Sequence, residues 1–98
     1  MSITAEQTVS IGTLGTQRLR LLRPIDAEVR HEDGKVILWS DDFCTWGSGP
    51  HLTAAIRDLQ VAMVDYFDWL AEYAAQDKLS PRLQREFAAL QAIVEVRP

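Results

Sequence analysis

Residues 25–40, IDAEVRHEDGKVILWS, carry the strongest fold signal in this 98-residue sequence. Asp33-Gly34 suits a type I′ turn, because both central residues of that turn need positive φ. The dipeptide separates two runs of strand-forming residues. We therefore predict a β-hairpin with a two-residue turn, in which Glu32 faces Lys35 and Glu28 faces Trp39.

This register divides the hairpin side chains between the two faces of a sheet. The apolar face, which we expect a helix to cover, carries Ile25, Ala27, Val29, Val36 and Leu38. The opposite face carries Asp26, Glu28, Arg30, Glu32 and Lys35, together with Ile37 and Trp39. The two apolar residues among these charges form a contact surface for another chain, or Trp39 simply lies over the aliphatic stems of its neighbours. Both interpretations stay open on the sequence alone.

The sequence after the hairpin predicts two helices. Residues 52–76 contain no Pro or Gly, and their apolar residues follow helical spacing. The expected buried stripe is Ile56, Leu59, Met63, Tyr66, Leu70 and Tyr73. Further apolar residues at Val61, Val64, Phe67 and Trp69 indicate a second packing partner, for which the next helix is the natural candidate.

The second helix is expected to begin at Ser80-Pro81, with Ser80 as N-cap and Pro81 at the first helical position. Residues 79–96 are interpreted as this single helix, with Leu83, Phe87, Leu90 and Val94 buried. Residues 1–15 are expected to form a leader, with a short strand around residues 8–11. Residues 16–98 are then one α+β domain, a three- or four-stranded antiparallel sheet followed by two helices packed on one face.

Charge and composition exclude several classes of protein. A net charge of −4 argues against binding nucleic acid through its phosphates, which requires clustered Lys and Arg. The cluster Arg18, Arg20 and Arg23 is expected to be a solvated strand face. The single Cys44 excludes an internal disulfide, and the first residues lack the apolar run of an export signal. We expect a soluble cytoplasmic protein without a membrane span.

The segment around Cys44 and His51 invites a catalytic interpretation. Cys44 and His51 are seven positions apart, across Gly47 and Gly49, as in a thiol–imidazole pair or half of a zinc site. Zinc requires four ligands, and a nucleophile requires a third group that orients its base. We favour a structural corner, in which Gly47 and Gly49 let the chain leave the sheet and His51 lies at the helix start.

Four carboxylates, Asp26, Glu28, Asp41 and Asp42, lie on or beside the hairpin. A metal-dependent nuclease would need them to converge, but the register places Asp26 and Glu28 outward. The GxG segment also lacks the pattern of a phosphate-binding loop or a dinucleotide fingerprint. No catalytic residue, metal or cofactor is expected.

The layout from Leu19 to about Ala75, somewhat over half of the chain, resembles the HicB-like antitoxin family. The residues that carry the resemblance are Ile25, Val29, Asp33, Gly34, Asp42, Gly47, Gly49, Ala55, Ile56, Asp58 and Leu59. The sequence departs from the family pattern after the second glycine, where Asp-Thr-Pro-Glu-Glu is usual and residues 50–54 are PHLTA.

The resemblance implies a truncated ribonuclease H-like fold without its catalytic centre. It also implies a protein that covers and neutralises a small RNA-cleaving toxin. Family members often repress their own operon through a C-terminal DNA-binding module. The segment after Ala75 is interpreted as a single helix, which is too little for a helix-turn-helix or ribbon-helix-helix unit. Self-repression is therefore not expected of this chain alone.

These observations lead to one expected function and two alternatives. We expect a non-catalytic, homodimeric domain that binds a small basic, toxin-like protein through the outer sheet face with Ile37 and Trp39 and through the exposed sheet edge. Trp69 is expected to face a partner subunit. A structural subunit of a larger assembly would instead expose Leu83, Phe87 and Leu90. A small hydrolase or nuclease would bring together Cys44 and His51, or use Asp41 and Asp42.

Overall fold

The computed structural model describes residues 7–97, and residues 1–6 of the expected leader lie outside the described part. Five strands are followed by two helices and a short final strand: β1 (Gln7–Ile11), β2 (Leu19–Leu21), β3 (Ile25–Glu32), β4 (Lys35–Ser40), β5 (Thr45–Gly49), α1 (Leu52–Ala75), α2 (Pro81–Gln91) and β6 (Val94–Val96). The four-stranded antiparallel sheet has the order β1-β3-β4-β5. The α+β class, with a four-stranded sheet ahead of two helices, is confirmed.

The hairpin formed by β3 and β4 has the predicted register. Glu32 pairs with Lys35 and Glu28 pairs with Trp39. Asp33 and Gly34 have φ values of 50° and 75°, as a turn with two left-handed central residues requires. On the other side of β3, the strand β1 extends the sheet, and Ile11 pairs with Ile25. Sequence patterning therefore predicted the centre of the sheet correctly.

Helix α1 packs on the apolar face of the sheet with a stripe slightly rotated from the predicted one. Its buried residues are Ala55, Leu59, Met63, Phe67 and Leu70. Ile56, Tyr66 and Tyr73 are only half-buried. At its start, α1 approaches β5 closely, and Gly49 lies against the Ala54 side chain and the Ala55 backbone nitrogen.

Helix α2 packs against α1, as predicted from the apolar residues of α1 that lie beyond its first buried stripe. The rings of Phe67 and Phe87 have centroids 5.5 Å apart at an angle of 55°. The Tyr66 hydroxyl donates a hydrogen bond to Glu86 Oε1 at 2.8 Å. At the helix start, Ser80 is the N-cap and its hydroxyl accepts from the Leu83 amide. One apolar contact and one polar contact therefore fix the two helices to each other.

The prediction of one helix over residues 79–96 was wrong at its C-terminal end. Helix α2 ends at Gln91, and β6 pairs antiparallel with β2 in a separate two-stranded sheet. The Ile93 carbonyl accepts from the Leu22 amide at 2.8 Å. The β-branched pair Val94 and Val96 suits a strand, and pairing satisfies the backbone groups of both segments. Val94 is buried, as expected, but in a strand.

The segment before β2 is held against α1. Leu14 is buried in the core, and Arg18 forms a two-bond ion pair with Asp68 of α1 at 2.7 and 3.0 Å. Strand β1 covers the residues for which a short strand was expected. Within residues 7–97, no helix is long and apolar enough to cross a lipid bilayer.

Candidate protein-interaction surface

The side of the four-stranded sheet that faces away from α1, called here the outer face, carries a cross-strand pair of tryptophans. Trp39 on β4 pairs directly with Trp46 on β5, and Ile37 pairs with Ser48 two residues along. Trp39 is 36% exposed and Trp46 is 58% exposed. Paired aromatic side chains of this kind dominate the energetics of many protein interfaces. The centre of the outer face is therefore an apolar patch formed by the half-buried Ile37 and the exposed Trp39 and Trp46.

Charged side chains of β3 border this patch. Glu28 lies opposite Trp39, and Arg30 lies opposite Ile37. The Trp39 indole N–H donates a hydrogen bond to Asp41 Oδ1 in the turn after β4. That bond satisfies the polar edge of the ring and leaves its face as the contact surface. A shallow cavity of about 300 Å³ lies beside the patch, lined by Glu28, Arg30, Glu32, Ile37, Trp39 and Trp46.

Sequence reasoning singled out Ile37 and Trp39 but missed Trp46. Gly47 and Gly49, which follow Trp46, predict a corner between the sheet and the helix. That interpretation does not assign Trp46 to either face of the sheet. Gly47 and Gly49 lie on the helix side of β5, where α1 approaches. Because side chains alternate along a strand, Trp46 and Ser48 must then face outward. Recognising Thr45–Gly49 as a strand would have revealed the pair.

The corner residues Gly47, Gly49 and His51 join the sheet to α1. A Cβ atom at Gly49 would lie 2.8 Å from the Ala55 nitrogen, and one at Gly47 would overlap the Leu59 backbone. His51 is the N-cap of α1, and its Nδ1 accepts from the Ala54 amide at 3.2 Å. The glycines serve close backbone approach rather than a left-handed conformation, since neither has a positive φ.

One amide at the outer edge of β5 has a partner at this corner. The Ser48 amide donates to Asp58 Oδ2 of α1 at 2.9 Å. An amide that already has a partner is not free to pair with another strand.

The structure separates Cys44 from His51. They flank β5, whose five residues in extended conformation hold them roughly 15 Å or more apart. The Cys44 sulfur lies 3.6 Å from the Asp41 carbonyl oxygen. Loss of hydration, and then the nearby Glu86 carboxylate, raise the pKa of the Cys44 thiol. Activated cysteines show the opposite shift, because the thiolate is the nucleophile.

The acidic candidates do not converge either. Asp26 lies opposite Ser10 on the outer face, and Glu28 lies near the cavity. Asp41 holds Trp39, and Asp42 Oδ1 lies 3.5 Å from Arg23 Nη2. No group of three or more His, Cys, Asp or Glu residues within residues 7–97 is arranged to hold a metal ion.

Each arginine of the early basic cluster lies beside a carboxylate. Arg18 pairs with Asp68, Arg20 lies 3.7 Å from Glu95, and Arg23 lies beside Asp42. The hydrogen bonds that Arg18 donates to Asp68, and then the charge of Asp68, raise the pKa of Arg18. Partnered guanidinium groups offer little net charge to a phosphate backbone.

A second exposed aromatic group lies on α1. Trp69 is 41% exposed, and its ring packs against Tyr73 with centroids 4.6 Å apart and against Tyr66 at 6.3 Å. On α2, Leu90 is buried, while Leu83 and Phe87 are half-buried against the core. The apolar side chains of α2 therefore pack inside the domain, whereas Trp69 faces outward.

No protein-family model, no curated protein and no solved structure matches this chain.

Proposed function

We propose that this protein is a non-catalytic interaction domain, similar to a HicB-like antitoxin, that binds and neutralises a small basic partner protein. The observation that carries the proposal is the exposed pair Trp39–Trp46 with Ile37 at the centre of the outer face. Large apolar side chains bordered by charged residues are the usual composition of a binding patch.

The charge of the protein favours a basic partner. The net charge is −4, and the outer face carries Asp26, Glu28 and Glu32 against Arg30 and Lys35. Opposite charge steers the encounter and sets orientation, while the apolar centre supplies most of the affinity. The lone exposed thiol of Cys44 fits a reducing cytoplasm as the place of this encounter.

Trp69 supports the further proposal that the domain is a homodimer. Its ring lies on α1, away from the outer face, so one surface can hold a second copy while the other holds the partner. The alternative of a structural subunit docking through α2 has less support, because the α2 stripe packs inside the domain. The alternative of a hydrolase has less support, because β5 separates Cys44 from His51.

The test is co-purification with matched surface variants. Tagged parent protein, the double variant Ile37→Asp/Trp39→Asp and the control Leu22→Asp are each used for affinity purification from the native lysate. Leu22 is exposed and apolar but lies on the β2–β3 connection. Light scattering of the purified proteins, including Trp69→Ser, gives their mass in solution.

The proposal expects a small basic protein at a fixed ratio with the parent and with Leu22→Asp, and its loss with the double variant. Coexpression of the parent should also relieve growth inhibition by that partner. Retention of the partner by a correctly folded double variant would overturn the assignment of the surface. A monomeric mass for the parent would overturn the homodimer.

A further inference from the structure

The cavity beside the tryptophan pair combines aromatic rings with carboxylates. Trp39 pairs with Glu28 on one side and with Trp46 on the other, so a ring and a carboxylate border the same space. The bond from its indole N–H to Asp41 holds the Trp39 ring in place before any partner arrives. A ring held in advance loses little conformational entropy on binding.

The charges that line the cavity favour a cation. Glu28 and Glu32 contribute two carboxylates, and Arg30 contributes one guanidinium. The ion pairs found among residues 7–97 include neither Glu28 nor Glu32. Lys35 lies directly opposite Glu32, whereas Glu28 lies opposite Trp39, so Glu28 is the carboxylate beside the ring. The residues that line the cavity carry one net negative charge.

We propose that this cavity receives an arginine side chain of the partner. A planar guanidinium stacks on an indole face and donates two parallel hydrogen bonds to a carboxylate, which an ammonium group does not do equally well. The inference rests on the proposed function, because it names the group by which the basic partner is recognised. Arg30 opposes this docking by its like charge at the rim.

The experiment follows the three indole N–H signals of the isotopically labelled full-length protein by NMR during a titration. The probe is N-acetyl-arginine amide, and N-acetyl-citrulline amide is the neutral control of nearly the same shape. The signals of Trp39 and Trp46 should shift and saturate, while that of Trp69 stays in place as an internal control. Binding of citrulline should be about fivefold weaker, as expected for loss of a cation–π contact.

Charge variants of the lining sharpen the test. Glu28→Gln should weaken arginine binding by about threefold or more, and Arg30→Gln should strengthen it by a similar factor. Glu72→Gln, an exposed carboxylate on α1, removes the same charge elsewhere and should leave the affinity unchanged. Equal shifts with citrulline, no saturation, or an equal effect of Glu72→Gln would overturn the inference.

The two proposals fail in different ways. If the outer-face variants lose the partner while arginine does not bind, the surface is correct and the arginine site is wrong. If arginine binds as expected while the outer-face variants keep the partner, the cavity recognises arginine but the proposed interaction surface is wrong.

Discussion

The backbone of Gly47 on β5 lies directly against the backbone of Leu59 on α1. A Cβ atom at Gly47 would be 2.6 Å from the Leu59 Cα, a separation that folded proteins do not tolerate. No flexible side chain can move aside to relieve the overlap, because the atoms concerned belong to the helix backbone. This contact sets the spacing between sheet and helix on which the outward facing of Trp46 depends.

Gly47→Ala should therefore destabilise the protein by about 3 kcal/mol, because the helix must move away from the sheet. Gly12→Ala is the matched control, since a Cβ at Gly12 meets nothing within 4 Å. Urea denaturation of both variants measures the difference. Equal midpoints would show that the contact is not as close as described.

His51 caps α1 with a ring nitrogen, where an oxygen is the usual acceptor. Helix α1 also has no acidic residue in its first turn. His51→Asp supplies a better acceptor and a negative charge at the positive end of the helix dipole, so stability should rise by about 0.5 to 1 kcal/mol. His51→Ala, at the same position, removes the acceptor and should instead lower stability. A comparable gain in its thermal denaturation would argue against capping as the cause.

Burial, followed by the hydrogen bond to Glu86, raises the pKa of Tyr66 from 10.0 to about 12. Between pH 10 and pH 12 the folded protein therefore binds more protons than the unfolded chain. The stabilisation that protonated Tyr66 contributes is present below pH 10 and is lost as pH rises through 12. The chain has two tyrosines, which simplifies an absorbance titration of tyrosinate. Tyr66→Phe should remove the late ionisation step, and Tyr73→Phe should leave it. A late step that persists in Tyr66→Phe would contradict its assignment to Tyr66.

Strand β6 provides a test of the corrected C-terminal segment. Val94 is buried, while Val96 is 60% exposed two residues later on the same strand. Val94→Asp should cost about 3 kcal/mol, because a carboxylate would be buried without a partner. Val96→Asp should change the free energy of unfolding by no more than about 0.5 kcal/mol. Similar losses in both variants would mean that β6 does not pack as found.

Local patterns in the sequence were sufficient for several elements because the chemistry of each is local. Asp33-Gly34 specifies a turn that only a few residue types adopt, and the turn then sets the register that brings Glu28 opposite Trp39. Ser80-Pro81 specifies a helix start in the same way. Part of the candidate surface could be predicted in this way, because the register alone placed Ile37 and Trp39 on the charged face.

The remaining features depend on contacts between residues far apart in sequence. Apolar residues lie at both helical and strand spacing from Val94, so the local pattern is compatible with a helix and with a strand. Only the pairing of Val94 with Leu21 decides between the two structures. The pair Tyr66–Glu86 likewise requires two helices to meet. The sequence by itself determined the α+β class, the hairpin register and the starts of both helices, because turns and caps act within a few residues. Only the tertiary structure decided that Trp46 joins Trp39, because the close approach of α1 to Gly47 selects which side of β5 faces the core.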